Sequence, residues 1–159
     1  MRDDFKNIWS SYYPRILRYV ASFSGLSDTD REDCVQEIFF SIYDKLDSYN
    51  KKWAFSTWIY RIARNRLIDY QRIQKRRASN SLPELHAEAA GKNLSDTETE
   101  LSMDIERAVA NLEDQERELI HLYYYEDYRI KEIAAILRIP PGTVKSRLIK
   151  IRGTLKLKL

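Results

Sequence analysis

The sequence predicts an all-α protein of two small helical domains joined by a flexible linker, the second carrying a helix-turn-helix. Three observations lead there. Apolar residues recur at three- and four-residue steps through nearly every long stretch, and the first half has no strand-like alternation. The periodicity lapses for one long polar segment, from Ala78 to Leu94, which is rich in Ser, Asn, Ala, Gly and Glu and holds Pro83 and Gly91. Near the C-terminus two apolar stripes flank a tight break at Arg138-Ile139-Pro140-Pro141, and the second is crowded with cations. The expected division is therefore a first domain over 1–77, a linker over 78–94 and a second domain over 95–159. With 159 residues in all, each domain buries only a modest core.

In the first domain Phe5, Ile8, Trp9, Tyr12, Ile16, Tyr19 and Val20 outline an amphipathic helix that Pro14 is expected to kink or restart. Ser27 to Asp30 supplies capping residues for a second helix, Arg31 to Leu46, with Val35, Ile38, Phe39, Ile42 and Leu46 inward. Between Asp28 and Asp47 seven carboxylates face two cations, so this helix repels DNA. Its outer face is either simply solvated or made for a protein partner, and the residues alone leave both open. A polar loop with large aromatics follows, from Asp47 to Ser56. A third helix runs from about Thr57 to Arg72, with Trp58, Ile59, Ile62, Ala63, Leu67 and Tyr70 available for the core and Arg61, Arg64, Asn65, Arg66 and Arg72 outside. Trp53 to Arg77 holds seven cations and one carboxylate, and aromatics beside such a patch suit stacking on unpaired bases. A plain core role for Trp58 and Phe55 stays open beside that one, and it is the commoner fate of aromatics at helical spacing.

In the second domain Ser95-Asp-Thr-Glu98 fits a capping box ahead of a helix carrying Leu101, Ile105, Val109 and Leu112. Another helix spans about Asp114 to Tyr125. Ile130, Ile133, Ala134 and Leu137 then mark a helix that stops before the double proline, and Val144, Leu148, Ile151 and Leu155 mark the next. Thr143, Lys145, Ser146, Arg147, Ile149, Lys150 and Arg152 face outward or flank that last stripe. From Arg138 to Leu159 there are seven Lys or Arg and no Asp or Glu, against a net charge of +3 for the whole chain. A charge run alone more often marks a solvated face. Here it coincides with the break and both stripes, which is the pattern of a helix whose N-terminal part reads the major groove.

Other classes find less support. The N-terminus lacks the succession of a secretory signal and no run approaches the ~20 apolar residues of a membrane span, which predicts a cytoplasmic protein without membrane insertion. Cys34 is the single cysteine, with only His86 and His121 as histidines, so neither a disulfide nor a metal site nor a cofactor is expected, and Cys34 is read as a small buried residue.

The segments Glu32-Asp-Cys-Val-Gln-Glu-Ile-Phe39, Phe55-Ser-Thr-Trp-Ile-Tyr-Arg-Ile-Ala-Arg-Asn-Arg-Leu-Ile-Asp69, Glu132-Ile-Ala134 and Gly142-Thr-Val-Lys-Ser-Arg147 together resemble the extracytoplasmic-function (ECF) sigma factors of bacteria. The resemblance covers both domains, in order. It implies a non-enzymatic initiation factor that binds RNA polymerase core, directs it to a promoter and helps open the duplex. It also implies an anti-sigma factor as a partner. By the same resemblance Asp33, Gln36 and Glu37 dock on the coiled-coil of the polymerase β′ subunit. The loop carrying Tyr49, Trp53 and Phe55 captures a flipped base of the minus-ten element, with Arg61, Arg64 and Asn65 holding the strand. Thr143, Lys145, Ser146, Arg147, Ile149 and Lys150 read the minus-thirty-five element. The sequence departs from the family at Asp127-Tyr128-Arg129 and at Arg138, where glycines are common, and at Ile149 and Lys150. A helix-turn-helix repressor or activator acting without sigma activity is the alternative, but it leaves the first domain without a task. An enzyme such as a recombinase lacks any Ser, His and carboxylate grouping here.

Overall fold

The structure, a computed structural model, describes residues 4–80 and 106–158. Helix α1 (Phe5–Ala21) buries Ile16, Tyr19 and Val20 and continues through Pro14 as one helix, so the chain does not restart there. Gly25, at φ 81, makes the turn into α2 (Asp28–Lys45). The Ser27 side chain accepts the Asp30 N–H at 3.1 Å and caps α2, which therefore starts three residues before the position expected from periodicity. Phe5, Trp9 and Tyr13 of α1 lie against Phe39 of α2, with ring centroids 4.5–6.4 Å apart. A 3₁₀ turn, Leu46–Ser48, leads to the aromatic loop. Helix α3 (Phe55–Asn80) is longer than its apolar stripe, since basic residues after Tyr70 prolong it on a solvated face. It includes Ala78 to Asn80, which the sequence pattern assigns to the linker. The rest of that expected linker, the Ser95 to Glu98 box, Leu101 and Ile105 lie outside the described residues.

In the second domain residues 106–110 are helical and bury Ala108. Helix α4 (Asp114–Ile120) follows, and its N-terminus is closed by Glu116, whose carboxylate accepts the Glu113 N–H at 3.3 Å. The expected helix to Tyr125 changes character on the way: His121–Tyr125 form a π turn. Asp127 then reverses the chain in the left-handed conformation, at φ 60. Helix α5 (Ile130–Leu137) starts without a Ser or Thr cap, and Glu132 takes over by accepting the Arg129 N–H at 2.9 Å. Arg138, also left-handed at φ 57, ends α5, and α6 (Pro141–Lys158) begins at the second proline. Both positions that depart from family glycines thus adopt the backbone that glycine favours.

The two domains meet. One cluster of buried residues continues from Ile16, Ile38 and Leu67 of the first into Leu119, Ile133 and Val144 of the second, and α3 packs on α5. Cys34 is fully buried, and burial pushes its thiol up to about 12, so it is an inert core residue at neutral pH. No described helix is long and apolar enough to cross a membrane.

Candidate nucleic-acid and protein interfaces

Three surfaces carry the residues singled out by sequence. On α2, burying Cys34, Val35, Ile38, Phe39 and Ile42 turns Asp33, Gln36 and Glu37 outward, and all three are exposed. Phe40 stands one turn further along the same face with 69% of its surface in water. An exposed apolar ring on an acidic helix face suits a protein contact better than a nucleic-acid one. The sequence puts Phe39 on the inward stripe and leaves Phe40 off it, but without a role, because one apolar residue on an otherwise acidic face shows no periodicity of its own.

The aromatic loop is held by its own residues. The Tyr49 hydroxyl donates to the Trp53 carbonyl at 2.7 Å, and the Tyr49 ring lies 5.1 Å from both Phe55 and Trp58. Tyr49, Trp53 and Phe55 are half-buried, so each keeps an edge in water while resting on the domain. Arg61 and Asn65 on α3 are also half-buried. Arg64 is not open in the same sense. Its Nε donates to Glu118 Oε1 of the second domain at 2.9 Å, and 22% of the side chain is exposed.

The third surface is α6. Val144, Leu148 and Ile151 are buried, which sets Lys145, Ser146, Arg147, Ile149 and Lys150 in water and leaves Thr143 half-buried. The Ser146 hydroxyl donates to the Gly142 carbonyl at 2.9 Å, so only its acceptor capacity is free. Ile149, 58% exposed, offers an apolar contact of the kind that fits a thymine methyl. Arg147 and Lys150 border a cleft shared with Glu113 and Glu116, so they lie on the flank toward α4. On the other flank the Arg152 guanidinium lies over the rings of Tyr123 and Tyr124, 5.5 and 5.8 Å from their centroids, and its Nε donates to the Tyr124 hydroxyl at 2.7 Å.

Between the domains lies a polar layer that the sequence did not announce. Glu118 Oε1 also accepts from the Tyr19 hydroxyl at 2.5 Å, and Glu126 Oε2 accepts from Arg15 Nε at 2.9 Å. Arg15 sits over the rings of Tyr12 and Tyr60, at 4.9 and 5.6 Å. His121 Nε2 stands 3.4 Å from Glu126 Oε1. Burial alone would raise the Glu126 carboxyl, but contacts with His121, Tyr60 and Arg15 outweigh it and bring it down to about 2. At Glu118 burial wins over Arg64 and Tyr19, and the carboxyl stays above its ordinary value. The Tyr19 phenol is pushed far up by burial beside that carboxylate. Asp114 Oδ1 accepts the Ser24 N–H and hydroxyl at 3.0 and 2.8 Å and pairs with Arg117 on its own helix.

Comparison with known proteins gives the same order of parts. A family model described as Sigma-70 region 2 matches residues 8–77, and one described as Sigma-70, region 4 matches residues 102–155. The chain is 33% identical over 174 residues to the ECF RNA polymerase sigma factor SigW of Bacillus subtilis, covering 99% of this chain and 90% of that protein. It is 36% identical over 148 residues to the ECF RNA polymerase sigma-E factor of Escherichia coli K12, covering 86% and 74%. Among solved structures, the sigma factor RpoE in complex with the anti-sigma factor NepR from Bartonella quintana superposes with a TM-score of 0.80 at 25% identity, over 98% of this chain and 96% of that one. CnrH in complex with the cytosolic domain of CnrY shares the fold, with a TM-score of 0.66 at 21% identity over 99% and 88%.

Proposed function

The chain belongs to the ECF RNA polymerase sigma factors, the alternative sigma factors of transcription initiation, and from that premise we propose how its surfaces divide the work. The acidic face of α2, with Asp33, Gln36, Glu37 and the Phe40 ring, docks on the β′ coiled-coil of polymerase core. Carboxylates repel phosphates, so this face has no use against DNA. The aromatic loop with Tyr49, Trp53 and Phe55, together with Arg61, Arg64 and Asn65, takes the minus-ten strand once it is unpaired. Thr143, Lys145, Ser146, Arg147, Ile149 and Lys150 of α6 read the minus-thirty-five element as duplex. An anti-sigma factor is a partner of the free protein, as NepR is of the similar RpoE. The protein works in the cytoplasm, where polymerase is, and carries out no catalysis of its own. The domains are the parts matched as regions 2 and 4, with the boundary between them after α3.

The observation that carries this reading is the separation of exposed charge: carboxylates on α2 and cations on α6, on two different domains. Run-off transcription with core polymerase on a randomised promoter library tests it. Initiation dependent on the protein and confined to templates sharing two spaced elements is expected. Duplex binding with no core-dependent transcription would replace the reading with that of a repressor or activator.

A further inference from the structure

The layer between the domains is complementary in a directional way. Asp114, Glu118 and Glu126 come from the second domain, whereas Ser24, Tyr19, Arg64 and Arg15, which donate to them, all come from the first. Glu118 and Glu126 keep only 3% and 5% of their side chains in water. A carboxylate that deeply buried needs partners, and here most of the partners lie across the interface. Apolar packing accompanies them, with Tyr60 against Tyr128 and Tyr19 beside His121. Packing of that kind tolerates sliding. The ion pairs fix one register, because a guanidinium and a carboxylate must meet in both places at once.

Resting on the assignment of Arg64 made above, we infer that Glu118 and Glu126 form a two-point clasp that holds the free chain closed and withholds Arg64 from promoter DNA. A carboxylate and a phosphate oxygen ask for the same N–H donors, so Glu118 occupies the place that a strand phosphate would take. The clasp is intramolecular, so Glu118 competes with a strand phosphate for Arg64 without a second molecule having to arrive. It involves α1 and α3 of the first domain and leaves the exposed face of α2 untouched. Docking on core and opening of the clasp are thus separable steps. Core binds the closed chain through α2, and the strand-holding groups are released when the second domain is drawn to its own element.

The test uses the full-length chain with probes on two exposed residues, Lys51→Cys and Lys131→Cys, one in each domain; the native Cys34 is buried and stays in place. Wild type is expected to give one narrow interdomain distance. Glu118→Gln with Glu126→Gln should broaden and lengthen it, and should tighten binding of a fluorescein-labelled mixed-sequence single-stranded 12-mer about tenfold if the open form is about a tenth populated in wild type. Glu32→Gln with Asp44→Gln, which changes net charge equally on exposed positions, should leave both readings as in wild type. Because the neutral variant could fail through misfolding, the swap Arg15→Glu with Glu126→Arg is the control that restores the narrow distance, while Arg15→Glu alone does not. An unchanged distance in the double Gln variant, or no restoration by the swap, overturns the clasp. A lengthened distance with unchanged affinity overturns the withholding; Arg64→Ala in that opened variant then separates the two readings, weaker strand binding keeping Arg64 on the strand and equal binding removing it.

Discussion

Glu118 and Glu126 are alike in residue type and burial, yet their surroundings push their carboxyls in opposite directions, and the two substitutions should differ accordingly. Glu126 is held down to about 2 by Arg15, Tyr60 and His121 after burial has raised it. A carboxyl lowered in the folded state contributes stability that is present above its ordinary value of 4.5 and lost as pH falls from there through about 2. Glu118 is raised, so its contribution is present below the ordinary value and lost as pH climbs through the raised one. At pH 7, therefore, Glu126→Gln should lower unfolding free energy by about 2 kcal/mol, a discount on the cost of breaking a fully buried pair because Arg15 is 31% exposed. Glu118→Gln should cost less than Glu126→Gln, because burial disfavours the carboxylate it replaces, while the neutral amide holds Arg64 more weakly than the charge does. Urea titrations at pH 7 and pH 4 measure both; a larger loss at Glu118 than at Glu126 would reverse the assignment. Arg138 offers a second residue-scale check. At φ 57 an arginine carries left-handed strain, so Arg138→Gly should raise stability by about 1 kcal/mol, less the extra chain entropy of glycine. None of the interdomain pairs was legible in the sequence. Arg64 and Glu118 are 54 residues apart and Arg15 and Glu126 are 111 apart, so no local pattern joins them.

The helices themselves were legible, because each buries one stripe and that stripe repeats at helical spacing. Their ends were less so. The start of α2 is fixed by the Ser27 side chain rather than by the first apolar residue, and α3 extends past its stripe because nothing before Asn80 breaks it. The π turn after α4 widens one step of a run that periodicity reads as uniform helix, and it brings His121 inward against Glu126. On α6 the division between buried and outward residues matches the expected stripe, which makes mutation of single side chains informative. Arg147→Ala should weaken binding to the upstream element by ~1–3 kcal/mol if it meets a base edge. Lys150→Ala should act evenly on all sequences and reduce the salt slope by about 1 if it meets a phosphate. Unaltered affinity and salt dependence in both would remove the helix from the interface. On α2, Phe40→Ala should weaken co-purification with core by more than about 1 kcal/mol without loss of fold, because the ring is exposed and supports no core packing. Equal core binding by Phe40→Ala and wild type would confine docking to the carboxylates.

At the scale of the whole molecule, two helical units that the sequence separates by a long polar segment share one buried cluster. A domain of this size buries little of its own surface and is marginal alone, so part of the stability of each unit comes from the other. The second unit supplies Leu119, Tyr128 and Ile133 to the common cluster along with the buried carboxylates. If the interface is strong, the chain unfolds as one cooperative body; if it is weak, each unit melts by itself. Calorimetry of the free protein should accordingly give a single transition whose calorimetric and van't Hoff enthalpies agree. Glu118→Gln with Glu126→Gln should split it, the second unit melting first because it loses more of its buried neighbours, while the first unit keeps the α1, α2 and α3 packing around Ile38 and Leu67. Two resolved transitions in the wild-type protein would mean that the shared cluster contributes little to stability. In that case the closed arrangement would open too readily to withhold anything from DNA, and regulation would have to come from the partner proteins alone.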